Sequence, residues 1–153
     1  MTSPQSRLTR WATRLVYLQR IPVVGAAARV LLWLMGIDIP AAVAIAPGLR
    51  LNHPSAGLVV HPSTRIGRNV TLFHGVTLGR SDAWHAESAA KPTGGIVLGA
   101  GAVIGAGAVV LFRRGETVVI GDGAIIGANA VVNRDVPAGE IWAGNPASRV
   151  KVR

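Results

Sequence analysis

The sequence predicts an all-β fold, a three-sided β-solenoid preceded by a short α-helical N-terminal segment. Three observations carry that prediction. First, between Leu98 and Val131 an aliphatic residue returns at Leu98, Ile104, Val110, Ile120 and Ile126. Glycine stands directly behind four of these, at Gly99, Gly105, Gly121 and Gly127, and alanine follows four places on, at Ala102, Ala108, Ala124 and Ala130. A period of six fits neither the helical 3.6 nor plain strand alternation. Three such units make one triangular turn, with the aliphatic residue inward and glycine or another small residue at each corner. Second, half of the residues are hydrophobic. A disordered low-complexity segment lacks the apolar area to offset its ordering entropy. Third, the same register appears upstream at Ile66-Gly67, Leu72 and Leu78-Gly79, so the repeat covers most of the chain from about Ile45. One repeat cannot bury its apolar face alone, so successive turns must stack.

Two parts follow, a helical segment over 1–37 and the solenoid over 38–153. From Ser6 to Met35, Arg7, Arg10, Arg14 and Arg20 interleave with Leu8, Trp11, Leu15 and Leu18 in a helical pattern. Pro22 divides it into two helices, because proline is tolerated at a helix start and not inside. The second helix runs from about Val23 to Met35 and stops at Gly36. Solenoids need capped ends, and capping is the favoured role for this segment. A basic helix bearing tryptophan and leucine also suits a membrane surface, which makes peripheral membrane contact the second role.

Residues 38–57 hold three prolines and two glycines, which predicts turns around a first, imperfect coil. Short strands with corners follow to Gly79. Residues 80–95 lose the six-residue register and form a loop, long by ordinary standards. Phe112-Arg113-Arg114-Gly115 adds four residues to the spacing and should protrude. After Val131 the repeat decays into a basic C-terminal tail.

A length of 153 residues fits one domain. With no cysteine, disulfides and thiolate metal sites are excluded, and no metal is expected. The net charge of +9 favours an anionic partner, whether anionic lipid or a polyphosphorylated cofactor. Nucleic acid is not expected, since aromatics are few and no binding motif is present. No signal peptide is evident, and the apolar stretch around Val30 to Met35 is far short of the roughly 20 residues that span a bilayer. The expected location is the cytoplasm, or the inner face of its membrane.

Of the four histidines, some must point outward, because a solenoid interior is narrow and aliphatic. Neutral imidazole is the commonest general base near neutral pH, and its tautomer needs an orienting acid. Asp38 lies fifteen residues before His53, close to one turn. His61 reads as a corner residue and His85 as a loop residue. No nucleophile elbow, phosphate-binding loop or HExxH motif occurs. The chain therefore offers a base and a groove of small residues, with backbone at Ala106 and Ala128 able to line it.

The repeats, the segment HPSTRIGRNVTLFHGVTLG with LNH upstream, and the terminal AGNPASRVKV resemble bacterial serine O-acetyltransferases and their relatives that acetylate polysaccharides and other sugars. The resemblance covers roughly Gly36 to Lys151. It implies a left-handed parallel β-helix, a homotrimer, and acetyl-CoA bound between subunits. It implies His53 as general base, Asp38 as the acid that orients it, and His74 in support. Ala106 and Ala128 would face the cofactor's pantetheine arm, with Gly79 a further cofactor-binding position; on charge alone, Arg149 and Lys151 of the basic tail are assigned to its phosphates. Acceptor-binding positions fall on Asn52, Lys91 and His85. Two departures stand out: Asn52 replaces an aspartate that helps hold an ammonium, and Ala90-Lys91-Pro92 replaces arginine-histidine-proline. A sugar hydroxyl is accordingly the alternative acceptor, and a non-catalytic scaffold the alternative role.

Overall fold

The computed structural model describes residues 7–53, 56–82 and 93–152. Among these residues fifteen strands, most of two to four residues, wind into a triangular prism. Its first face stacks β1 (Ile37–Asp38), β4 (Leu58–Val60), β7 (Thr77–Arg80), β10 (Val109–Phe112) and β13 (Val131–Val132). The second stacks β2 (Ala44–Ile45), β5 (Thr64–Ile66), β8 (Gly95–Leu98) and β11 (Thr117–Ile120). The third stacks β3 (Arg50–Leu51), β6 (Thr71–Leu72), β9 (Val103–Ile104), β12 (Ile125–Ile126) and β14 (Glu140–Ala143), then β15 (Ser148–Val152). All neighbours are parallel except β14 and β15, where the chain turns back on itself.

The six-residue period explains the core. Leu98, Ile104, Val110, Ile120 and Ile126 all point inward and are at most 1% exposed. Ala102, Ala108, Ala124 and Ala130 are fully buried beside them. Each aliphatic side chain stacks on its counterpart one coil away, as Leu72, Ile104 and Ile126 do on the third face. Burying such a side chain is worth roughly 1.5–3 kcal/mol. The repeat glycine is a matter of clearance. A Cβ on Gly121 would lie 2.4 Å from the backbone nitrogen of Ala138 on the next coil.

The first coil, read from the sequence as imperfect, is regular in the structure. Residues 37–51 already supply one strand to each of the three faces, with Ile37, Ile39, Val43, Leu49 and Leu51 buried. The two insertions also meet. The ends of the long loop and the Arg113–Glu116 turn lie at the same edge, where the Asp82 carboxylate accepts the Arg114 N–H (3.1 Å) and the Gly115 N–H donates to Thr93 (2.7 Å). Arg80 anchors this edge through its ion pair with Asp82 (3.1 Å).

The N-terminal segment forms α1 (Arg7–Leu18) and α2 (Gly25–Leu34). The second starts two residues later than predicted, because residues 20–24 form the turn around Pro22. Gly36 ends it in the left-handed region (φ 70°), where glycine carries no Cβ penalty. The capping expectation holds. Ala12, Val16 and Leu32 join the solenoid core. The Tyr17 hydroxyl donates to the Ala46 carbonyl (3.0 Å) and accepts the Leu49 N–H (3.3 Å). Gln19 Nε2 donates to Ile39 (2.8 Å), and the Arg20 guanidinium donates to the Val43 carbonyl.

Candidate active site

One edge of the prism gathers four of the residues singled out by sequence. The third face runs Leu51, Leu72, Ile104, Ile126 in register. Two residues beyond each strand position stand His53, His74, Ala106 and Ala128, one per coil. Backbone bonds along this edge confirm the alignment: the Gly107 N–H donates to His74 (2.9 Å) and the Asn129 N–H to Ala106 (2.8 Å). Two imidazoles thus sit at one end of a ridge whose next two coils carry only methyl groups.

The corner that holds His53 is unlike those above it. From Leu51 to Val60 it runs three residues longer than the equivalent Leu72 to Leu78. His53 takes a left-handed conformation (φ 61°), uncommon for a residue other than glycine or asparagine. Its ring meets His74 edge to face at 5.5 Å and Phe73 at 6.0 Å. Asn52 precedes it, half-buried at the strand end.

Asp38 lies on β1, at the end of the first face. A full coil here is twenty-one residues, as the pairing of Ile37 with Leu58 shows. Val59 therefore lies over Asp38, and His53 stands six residues earlier, at the corner before β4. The aspartate is exposed on β1 and lines a cavity of about 540 Å³ with Gln19, Arg29, Trp33 and Pro40. Among the described residues it makes no side-chain ion pair. Gln19 Oε1 is buried in the wall of this cavity with no hydrogen-bond partner among those residues.

Gly79 lies on β7, on the first face beside the ridge. Arg149 and Lys151 lie on β15, which pairs with β14 at the end of the third face beyond Ala128. Arg149 is ion-paired with Glu140 (3.4 Å), so part of its charge is already answered within the chain. Lys91 and His85 lie outside the described residues. His61 is the corner residue the sequence indicates. It packs on Phe112 at 5.0 Å and its Nδ1 accepts the Ser63 N–H, which puts the proton on Nε2. Burial, then the nearby Arg80 guanidinium, pushes it below the usual imidazole value. Sequence reasoning missed the Phe73 contact to His53, for which spacing gave no sign.

No protein-family model matches the chain. Serine acetyltransferase 2 of Arabidopsis thaliana is 35% identical over 117 residues, 76% of this chain and 33% of that protein. Among solved structures, soybean serine acetyltransferase complexed with serine superposes with a TM-score of 0.70 at 32% identity, over 91% of this chain and 56% of that one. The chain is a hexapeptide-repeat protein resembling the serine acetyltransferases. Its prism is their left-handed parallel β-helix. The serine acetyltransferase of Brucella abortus in complex with coenzyme A superposes with a TM-score of 0.69 at 27% identity, over 94% of this chain and 54% of that one. The chain spans about a third to a half of the length of the curated relatives it matches.

Proposed function

We propose that the protein is an acetyl-CoA-dependent O-acetyltransferase resembling serine O-acetyltransferase. The ridge of His53, His74, Ala106 and Ala128 carries this reading. Neighbouring strands lie about 4.8 Å apart, so three coils separate His53 from Ala128 by roughly 14 Å. An extended pantetheine arm can follow that line, its thioester at the histidine end and its phosphates toward Lys151 and Arg149. Alanine at two successive coils leaves the backbone open to the arm. A solved relative complexed with coenzyme A supports the cofactor.

In the reaction, His53 takes the proton of the acceptor hydroxyl as that oxygen attacks the thioester carbonyl. The acetyl group passes to the oxygen as the carbon–sulfur bond breaks, the His53 imidazolium returns the proton to the sulfur, coenzyme A leaves as the thiol, and no acyl-enzyme is needed. General-base catalysis supplies about 10²–10⁴-fold, and holding the two substrates together supplies much of the rest. His74, edge-on to His53, fixes the ring's position. Asp38 is assigned as the orienting acid by resemblance, and its carboxylate must approach the imidazole for that role. A homotrimer with the arm held between subunits belongs to the same proposal.

Serine is the first acceptor to test, and a relative complexed with serine supports it. Asn52 favours a second reading. An amide holds an ammonium less well than the carboxylate it replaces, and suits a neutral sugar hydroxyl. Thiol release from acetyl-CoA, measured with serine, homoserine and a panel of sugars and glycosides, decides between them. Release abolished by His53→Ala is the expected result. No binding of acetyl-CoA would sink the enzyme reading and leave a scaffold.

A further inference from the structure

Helix α2 is built inside out. It buries Gly25, Ala28 and Leu32, and turns Val30, Leu31, Trp33 and Leu34 outward. Leu32 alone among its large apolar side chains is buried, whereas a helix that only capped the solenoid would bury the others too. Trp33 and Leu34 are 73% and 68% exposed. Leu8, Trp11, Leu18, Ile21 and Val23 on α1 and the following turn are exposed as well. Single apolar residues at a surface need no explanation, whereas a patch on two adjoining helices does.

The charge on these helices is one-signed. Arg7, Arg10, Arg14 and Arg29 are exposed, and no acidic residue precedes Asp38. The Arg14 guanidinium lies 5.5 Å from the centre of the Trp11 ring, so cation and aromatic share one surface. We propose that the outward face of α1 and α2 docks on an anionic phospholipid bilayer. A second copy meeting this face symmetrically would set arginine against arginine, with no carboxylate on either helix to pair them. A bilayer surface answers both features, headgroup phosphates for the arginines and the acyl boundary for Trp33, Leu34 and their neighbours. No helix among the described residues is long and apolar enough to cross a membrane, so the pair lies in the interface plane. Arg29 and Trp33 also wall the cavity beside Asp38, and docking brings that cavity to the bilayer.

The test is co-sedimentation of the full chain with vesicles of phosphatidylcholine alone and of phosphatidylcholine mixed with phosphatidylglycerol. Binding only to the anionic vesicles, weakened by salt, is the expected result. The variant R7Q/R10Q/R14Q should lose at least tenfold in affinity, and so should W33S/L34S. All five positions are exposed, so both variants should keep the wild-type thermal melt. The proposal is overturned by equal binding to both vesicle types, by no binding at low salt, or by variants that bind as the wild type does. It is also overturned if W33S/L34S lowers the solution mass of a chain that ignores vesicles, which would assign the face to a second copy.

Discussion

The imidazoles of His53 and His74 meet edge to face 5.5 Å apart, each at the same corner of adjacent coils. Stacking of the repeat, with Leu51 paired to Leu72, brings them together. His53→Ala should lower turnover by about 10²–10⁴-fold while acetyl-CoA affinity stays nearly unchanged. His74→Ala and Asp38→Asn, acting through His53, should cost less. Steady-state kinetics beside a direct binding measurement separate the two effects. Normal turnover with lost affinity would remove His53 from the role of base.

Ala128 is exposed on the ridge and holds up none of the core. Ala128→Phe should therefore obstruct the pantetheine path without disturbing folding. The expected outcome is at least a tenfold rise in KM for acetyl-CoA with an unchanged melting temperature. An unaltered KM would move the cofactor off this edge.

Inside the prism, Ile104 is fully buried between Leu72 and Ile126, while its neighbour Val103 faces outward. Ile104→Ala should destabilise by about 2–5 kcal/mol, transfer and cavity terms together. Val103→Ala should cost much less. Denaturant unfolding of both variants checks the inward register.

Gly121 has no room for a side chain, since an added Cβ would meet the Ala138 backbone at 2.4–2.7 Å. Gly121→Ala should cost about 1–3 kcal/mol by forcing two coils apart. A neutral result in the same unfolding assay would mean that the coils yield easily.

His61 binds its proton less readily when folded than when unfolded. Its neutral form therefore adds no pH dependence above the unfolded value of about 6.5. Below it the unfolded chain takes up more protons, and stability falls as pH drops toward the folded value. His61→Asn offers an amide oxygen to the Ser63 N–H and should flatten that part of the curve. Melting temperatures of both proteins across the acid range would show it, and parallel curves would contradict it.

The sequence by itself determined the solenoid, because each repeat states its own burial: Leu98, Ile104 and Ile126 face inward wherever the coil is cut. It also marked the two helices, the four-residue insertion after Val110 and the glycines that let corners approach. Residues at equal phase could be aligned from the repeat alone, so Ala106 and Ala128 were legible as a pair. Tertiary structure decided the rest. The three additional residues between Leu51 and Val60 set the first coil at twenty-one, the pairing of Leu51 with Leu72 stacked His53 on His74, and Asp38 came to line the cavity beside α2. That outcome depends on how a corner bends, and a corner's path follows from packing against the next coil. Helix α2 makes the same point. Apart from Arg29 its residues are all apolar, so periodicity could not say which face would be buried. Contact with the first coil chose Gly25, Ala28 and Leu32, and left Trp33 and Leu34 outside.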